Sequence, residues 1–295
     1  MESLVIGDAL GEKLAQFLNW DYLLVKERIF PDGEIKPSLG KEEKVDQIIL
    51  LLQKQDKEKI NDYLIKYFLL ARKAKELAKK VIGIMPYLPY ARQDAVFEEG
   101  EPLSALYIDE LIEKNLDTFI TCNMHEHRKK IKELFKIPAY NLFLFQDLAS
   151  QFQDFNPLES IVLGPDRESK TFVDDFCQKF PAQKIVLIKE RNNQTGQIEF
   201  SYSLKDLEVI KNKDIIIVDD IVSTGNTILD AAKITNQFQA RSISFAFVHS
   251  IFGDQSINAL KIIHPKKIIT TNTLANSQFT VDISQTLSRF LKSVI

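Results

Sequence analysis

The segment Ile215-Ile216-Ile217-Val218-Asp219-Asp220-Ile221-Val222-Ser223-Thr224-Gly225-Asn226-Thr227 runs from four β-branched residues into two acids and then into a small hydroxylated loop. That order of residue types suits a phosphorylated sugar. The backbone N–H groups of Ser223 to Thr227, opening a helix, can donate to a phosphate, and the Thr224 and Thr227 hydroxyls add donors. Asp219 and Asp220 would repel the phosphate, yet they are suited to accept from sugar hydroxyls or to hold a divalent cation. A triphosphate P-loop would need G-x-x-x-x-G-K-[ST], and the lysine is missing. The plainer alternative is a buried strand whose two acids cap the following helix.

A second chemistry-bearing stretch is Met85-Pro86-Tyr87-Leu88-Pro89-Tyr90-Ala91-Arg92-Gln93-Asp94, followed by Glu98-Glu99-Gly100-Glu101-Pro102-Leu103-Ser104. Its prolines forbid a continued helix or central strand, so it reads as a shaped loop at a strand's carboxyl end. Arg92 can bind a polyphosphate bidentately, Gln93 can donate, and Asp94 can orient either. An exposed ion pair of little energetic value is the alternative. Lys189 and Arg191, in Ile188-Lys189-Glu190-Arg191, share one side if the start of their loop is extended, so both could reach one polyphosphate. The polar continuation Asn192 to Gly196 has no periodicity. His125 ends the strand-like run before it, Asp166 follows a Gly-Pro turn, and Asp32-Gly33 is a tight turn in its own right.

These stretches resemble the phosphoribosyl diphosphate (PRPP) synthetase family. Val218-Asp-Asp-Ile-Val-Ser-Thr-Gly-Asn-Thr227 is similar to the loop that the synthetases share with phosphoribosyltransferases, and P-Y-x-x-Y-A-R-Q-D followed by G-E-P-x-S is similar to what the synthetases carry and ordinary phosphoribosyltransferases lack. The resemblance implies transfer of the diphosphoryl group of ATP to the anomeric hydroxyl of ribose 5-phosphate, giving PRPP and AMP, with Mg²⁺ as the cofactor. It implies an ATP site at Phe30, Asp32, Glu34, Arg92, Gln93, Asp94 and His125, with Phe30 stacked on adenine. It implies a ribose 5-phosphate site at Asp219, Asp220, Ser223, Thr224, Gly225, Asn226 and Thr227, metal contacts at His125 and Asp166, and catalytic charge from Lys189, Arg191 and His125. In the family the Phe30 segment serves a neighbouring subunit, which implies a homo-oligomer, a dimer or higher. Asn123, Ser223, Asn226 and Glu168-Ser169 depart from the common bacterial pattern, and Phe97-Glu-Glu-Gly-Glu-Pro102 looks more like the archaeal type. A phosphoribosyltransferase and a catalytically reduced regulatory subunit are the competing readings.

The elements that must position these residues follow from patterning. The chain has 295 residues with a formal net charge of −3, which leaves room for two domains and does not favour nucleic acid as a partner. Apolar runs such as Ile48–Leu52 are too short to span a membrane, and the first residues lack a basic-then-apolar leader, so a cytoplasmic location is expected. Cys122 and Cys177 form no disulfide framework. Nine short apolar runs alternate with nine helix-length stretches, among them helices at Lys57–Lys79 and Arg128–Phe135, the signature of βαβ units. The expected fold is α/β, with two phosphoribosyltransferase-like domains, each a mostly parallel sheet flanked by helices. The expected boundaries are 1–143 with a returning helix at about 283–295, and 144–282.

Overall fold

The computed structural model describes all residues except 1, 41, 127, 192–197, 202–206, 223–225, 252–253 and 276–280, and the backbone alone at 188–191, 198–201, 226 and 254–257. Two compact units divide the chain. The first comprises Met1–Leu142, Asn272–Ser277 and Asp282–Ile295, and the second Phe143–Thr271 and Gln278–Val281.

In the first unit the strands are β1 (Ser3–Gly7), β2 (Asp21–Leu24), β3 (Lys26–Ile29), β4 (Ile35–Ser38), β5 (Val45–Leu51), β6 (Ala78–Met85), β7 (Thr118–Cys122) and β8 (Ala139–Leu142). Six form one sheet in the order β2-β1-β5-β6-β7-β8, every neighbouring pair parallel. Because crossovers are right-handed, the step from β1 to β2 puts helix Ala9–Leu18 on one face. The opposite steps from β5 to β8 put helices Ile60–Leu77, Ser104–Glu113 and Ile131–Leu134 on the other. Both faces are therefore covered, which is why β5 reads from Ile48 to Leu51 as an unbroken apolar run rather than an alternating one. Ile48 and Leu50 enter a core shared with Tyr63, Tyr67 and Leu70. Each such fully buried aliphatic side chain contributes about 1.5–3 kcal/mol.

Helix Ile60–Leu77 is shorter than the expected Lys57–Lys79. Ala78 to Lys80 are good helix formers, but Ala78 and Lys80 pair with Val45 and Gln47 instead. Asp117 accepts from the Val81 amide at 2.7 Å and from Lys75 Nζ, fixing the junction. The closing helix Ser284–Val294 belongs to the first unit, where Leu287 and Leu291 are fully buried. Lys292 Nζ donates to the Phe17 carbonyl at 2.9 Å, and Lys13 pairs with Asp282.

The second unit contains β9 (Ser160–Gly164), β10 (Gln183–Val186), β11 (Ile188–Arg191), β12 (Ile198–Ser201), β13 (Asp214–Val222), β14 (Ser242–Ser250) and β15 (Lys267–Thr270). Its parallel sheet has the order β10-β9-β13-β14-β15. Ile215, Ile217, Phe245 and Phe247 form its core with Ile228 and Ala231 of helix Asn226–Gln237.

The two units repeat one plan. Each runs through a strand, a helix, an outer strand, an antiparallel hairpin and a central strand, and then alternates helices with strands stepping outward. The hairpins are β3–β4 and β11–β12. The second hairpin corrects the sequence reading, since Ile188–Arg191, expected as the start of a loop, is a paired strand. Lys189 lies opposite Phe200 and Arg191 opposite Ile198.

Candidate active site

The carboxyl ends of β6 and β7 carry the first group of expected site residues. After Met85 the chain turns through Tyr90, which adopts φ +64°, a left-handed conformation that costs a side-chain-bearing residue free energy. Two bonds hold it there: the Tyr90 hydroxyl donates to Asn61 Oδ1 at 2.8 Å, and the Gln93 amide donates to the Tyr90 carbonyl at 2.8 Å. The Gln93 carbonyl in turn accepts from the Ala105 amide, tying the loop to helix Ser104–Glu113. Arg92 and Gln93 are left exposed, while the Asp94 side chain is only 6% exposed. Asp94 Oδ1 accepts from Arg128 Nη1 at 2.5 Å.

Arg128 was not legible as a site residue. It lies 34 positions from Asp94, and only the adjacency of β6 and β7 brings the two loops together.

At the end of β7, Asn123 also adopts a left-handed φ, +40°, and its amide donates to the Leu142 carbonyl at 2.8 Å. Met124, next in line, is held by Asn141 of β8. Glu126 accepts from the Ile131 amide at 3.0 Å, fixing the start of helix Ile131–Leu134. That helix is half the length expected for Arg128–Phe135, because Lys130 is extended and serves as its N-cap. His125, half-buried, is therefore fixed by a pinned residue on either side. Phe30 to Glu34 occupy the turn of the β3–β4 hairpin, a two-stranded sheet of its own. Gly33 has φ +94°, the Glu34 amide donates to Asp32 Oδ1, and the Arg28 guanidinium lies 4.8 Å from the Phe30 ring centroid.

The second group stands at the carboxyl ends of the neighbouring strands β9 and β13. Asp166 Oδ1 accepts from the Glu168 and Ser169 amides at 3.0 and 3.1 Å, capping the turn that leads into helix Lys170–Lys179. Burial raises the Asp166 carboxyl above its ordinary value, and the charges of Glu168 and Asp220 add to the rise. Asp219 is raised well above the carboxylate range, first by desolvation and then by the charges of Asp220 and Asp166. Its Oδ1 accepts from the Asp220 amide at 3.0 Å. Three acids thus crowd two neighbouring strand ends, and the charges of Asp220 and Asp166 oppose ionisation of Asp219 while that of Asp220 opposes ionisation of Asp166. Ser223, Thr224 and Gly225 lie outside the described residues. Asn226 opens the helix after β13, with half-buried Thr227 next to it.

Among the described residues no three acids, histidines or cysteines form a ready metal cage. An all-oxygen donor set that leaves positions for water and substrate phosphates is what Mg²⁺ takes, usually through one or two carboxylates, so the crowded acids fit that ion.

Asp8 stands at the end of β1, where Asp166 stands at the end of β9. It accepts from the Gln53 and Leu10 amides, and burial pushes its carboxyl up to about 6. No motif marks it in the sequence.

Two family models match consecutive parts of the chain: the N-terminal domain of ribose phosphate pyrophosphokinase over residues 4–115, and the phosphoribosyl transferase domain over residues 131–284. The ribose-phosphate pyrophosphokinase of Saccharolobus solfataricus is 30% identical over 97% of this chain and 99% of its own length. The chain belongs to the ribose-phosphate pyrophosphokinase family. A second archaeal pyrophosphokinase, from Methanobrevibacter smithii, is 27% identical over 98% of this chain and 100% of its own. The crystal structure of phosphoribosylpyrophosphate synthetase from Mycobacterium smegmatis superposes with a TM-score of 0.84 at 21% identity, covering 100% of this chain and 99% of that one, so the pyrophosphokinase fold is shared end to end. Among the described residues no helix is long and apolar enough to cross a membrane.

Proposed function

We propose that the chain is a ribose-phosphate diphosphokinase that moves the diphosphoryl group of ATP to the anomeric hydroxyl of ribose 5-phosphate, releasing AMP and PRPP. The observation that carries the reading is the presence of two unlike strand-end sites in a chain matched along its whole length by pyrophosphokinases. One is a pair of neighbouring loops with Arg92, Gln93 and His125; the other is a crowd of carboxylates beside a helix N-terminus. A phosphoribosyltransferase would need only the second.

In this reading Phe30, Asp32, Glu34, Arg92, Gln93, Asp94 and His125 bind ATP. Ser223 to Thr227 hold the 5-phosphate, and Asp219 and Asp220 accept from the ribose hydroxyls. The anomeric hydroxyl oxygen attacks the β-phosphorus and gives up its proton to solvent, a new C–O–P bridge forms, and the bond from the β-phosphorus to the oxygen bridging it to the α-phosphorus breaks, leaving that oxygen on AMP. Transfers of this kind are limited by in-line placement and by negative charge developing on the oxygens. Lys189 and Arg191, on β11, supply positive charge to the transferring group and Arg92 fixes the triphosphate. His125 in the first unit and Asp166 in the second are each proposed as a contact for Mg²⁺, whose charge, when it is bound, would shield phosphate oxygens. The protein acts in the cytoplasm as a homo-oligomer, a dimer or higher, and makes the activated ribose used in nucleotide biosynthesis.

Incubation with ATP, Mg²⁺ and ribose 5-phosphate, followed by ³¹P NMR, tests the reading. AMP with a new diphosphoester is expected. ADP instead would make the protein an ordinary kinase, and absence of turnover would favour a regulatory subunit.

A further inference from the structure

We propose that Arg128 is a positioning residue that locks the segment carrying Arg92, Gln93 and Asp94 onto the strand end carrying His125. The consequence for ATP rests on the function proposed above.

The geometry is specific. Arg128 uses the edge of its guanidinium to donate from Nη1 to Asp94 Oδ1 at 2.5 Å, and its central carbon lies 5.6 Å from the centroid of the Phe97 ring. A planar guanidinium can bond a carboxylate with its edge while its face meets a ring, and an ammonium cannot do both. Phe97 is 72% exposed and Val96 53% exposed, so this stretch has little apolar burial to hold it in place. The local bonds that shape it, from the Phe97 and Glu98 amides to Glu101 Oε2, lie within the stretch itself. Arg128, through Asp94 and the Phe97 ring, ties it to the neighbouring strand end. Lys130, two residues on, instead pairs with Glu126 on its own loop.

Charge gives the second argument. Asp94 follows directly on Arg92 and Gln93, and its carboxylate can belong to an ATP site only if its charge is balanced, since left unpaired it would repel the phosphates held by those two residues. The guanidinium of Arg128 neutralises it, and at 45% exposure keeps part of its surface open to solvent. The clamp therefore does two things at once: it fixes the orientation of Arg92 and Gln93 relative to His125, and it masks the one negative charge among them.

Three variants test this: Arg128→Ala, Arg128→Lys and Phe97→Ala. Positioning predicts that Arg128→Ala raises the KM for ATP about tenfold while kcat changes less than about threefold and the KM for ribose 5-phosphate is unchanged. Arg128→Lys, which keeps the ion pair and loses the stacking, falls between, and Phe97→Ala, a change at an exposed ring that puts no core packing at risk, shifts the ATP KM in the same direction. Independently of any activity, glutamyl endopeptidase should cut after Glu98 or Glu99 faster in Arg128→Ala than in the parent. An unchanged ATP KM, or a fall in kcat with KM unchanged, overturns the positioning role, and an unchanged cleavage rate overturns the clamp itself. If the parent shows no diphosphoryl transfer, the functional reading fails, and the cleavage comparison still decides the clamp.

Discussion

The Asn141 side chain holds Met124 from both sides, accepting from its amide at 2.8 Å and donating to its carbonyl at 3.2 Å. One short edge strand thereby sets the backbone path immediately before His125. Asn141→Ala leaves a buried amide and carbonyl unmatched, and should cost about 1–3 kcal/mol in urea unfolding. The ATP KM of this variant should rise while that for ribose 5-phosphate stays fixed, which steady-state kinetics with each substrate varied would check.

Gly164 closes β9 where a β-carbon would lie 2.1 Å from Ser169 Oγ and 3.0 Å from Ser169 Cβ. Gly164→Ala is therefore expected to lose about 1–3 kcal/mol, the usual range for overpacking. Adding Ser169→Ala removes the nearest atom, so the double variant should recover part of the loss in thermal unfolding. A double variant no better than the single one would contradict this account.

Burial, with help from the charge of Glu113, pushes the carboxyl of Asp109 in helix Ser104–Glu113 up to about 7. A folded-state pKa above the unfolded value means that the folded protein binds the extra proton, so the contribution to stability is present at low pH and lost as pH rises from about 4 to about 7. Asp109→Asn should accordingly gain stability over the parent at pH 8, by up to about 4 kcal/mol, and little at pH 4. Urea titrations of both proteins across that interval measure the difference and cancel groups common to the two.

Lys189 lies on β11, in register with Phe200. If its charge serves the transition state rather than the bound substrate, Lys189→Ala lowers kcat on the order of 100-fold with a far smaller change in ATP affinity. Single-turnover rates beside equilibrium ATP binding separate the two. Comparable losses in both would make the lysine a ground-state ligand.

The strands that end at the site were legible because each is buried on two faces and reads as a dense apolar run: Ile48 to Leu51, Val81 to Met85, Ile215 to Val218. The outer strands of the first unit were not. β2, with Asp21 and Leu24 exposed, and β8, with Tyr140 and Asn141 half-buried, are four residues long and carry too little periodicity to stand out. The hairpin strands β3 and β11 hold Lys, Glu and Arg, and each is defined by the strand paired opposite it. Segments with special backbone needs could be read, since Pro86, Pro89 and Gly33 announce turns. The partners Arg128 and Asn141 could not, because a polar contact between neighbouring strand ends depends on sheet order, which no local pattern encodes.

The first unit has a beginning and an end but no middle: between Leu142 and Asn272 the chain is busy making the second. Helix Ala9–Leu18 must wait for Ser284–Val294, and the bond from Lys292 to the Phe17 carbonyl joins positions 275 apart. On a ribosome, then, the half of the protein synthesised first is the half completed last. Loss of a dozen C-terminal residues would strip Leu287 and Leu291 from a core laid down at the start of translation, while the second unit kept every one of its strands.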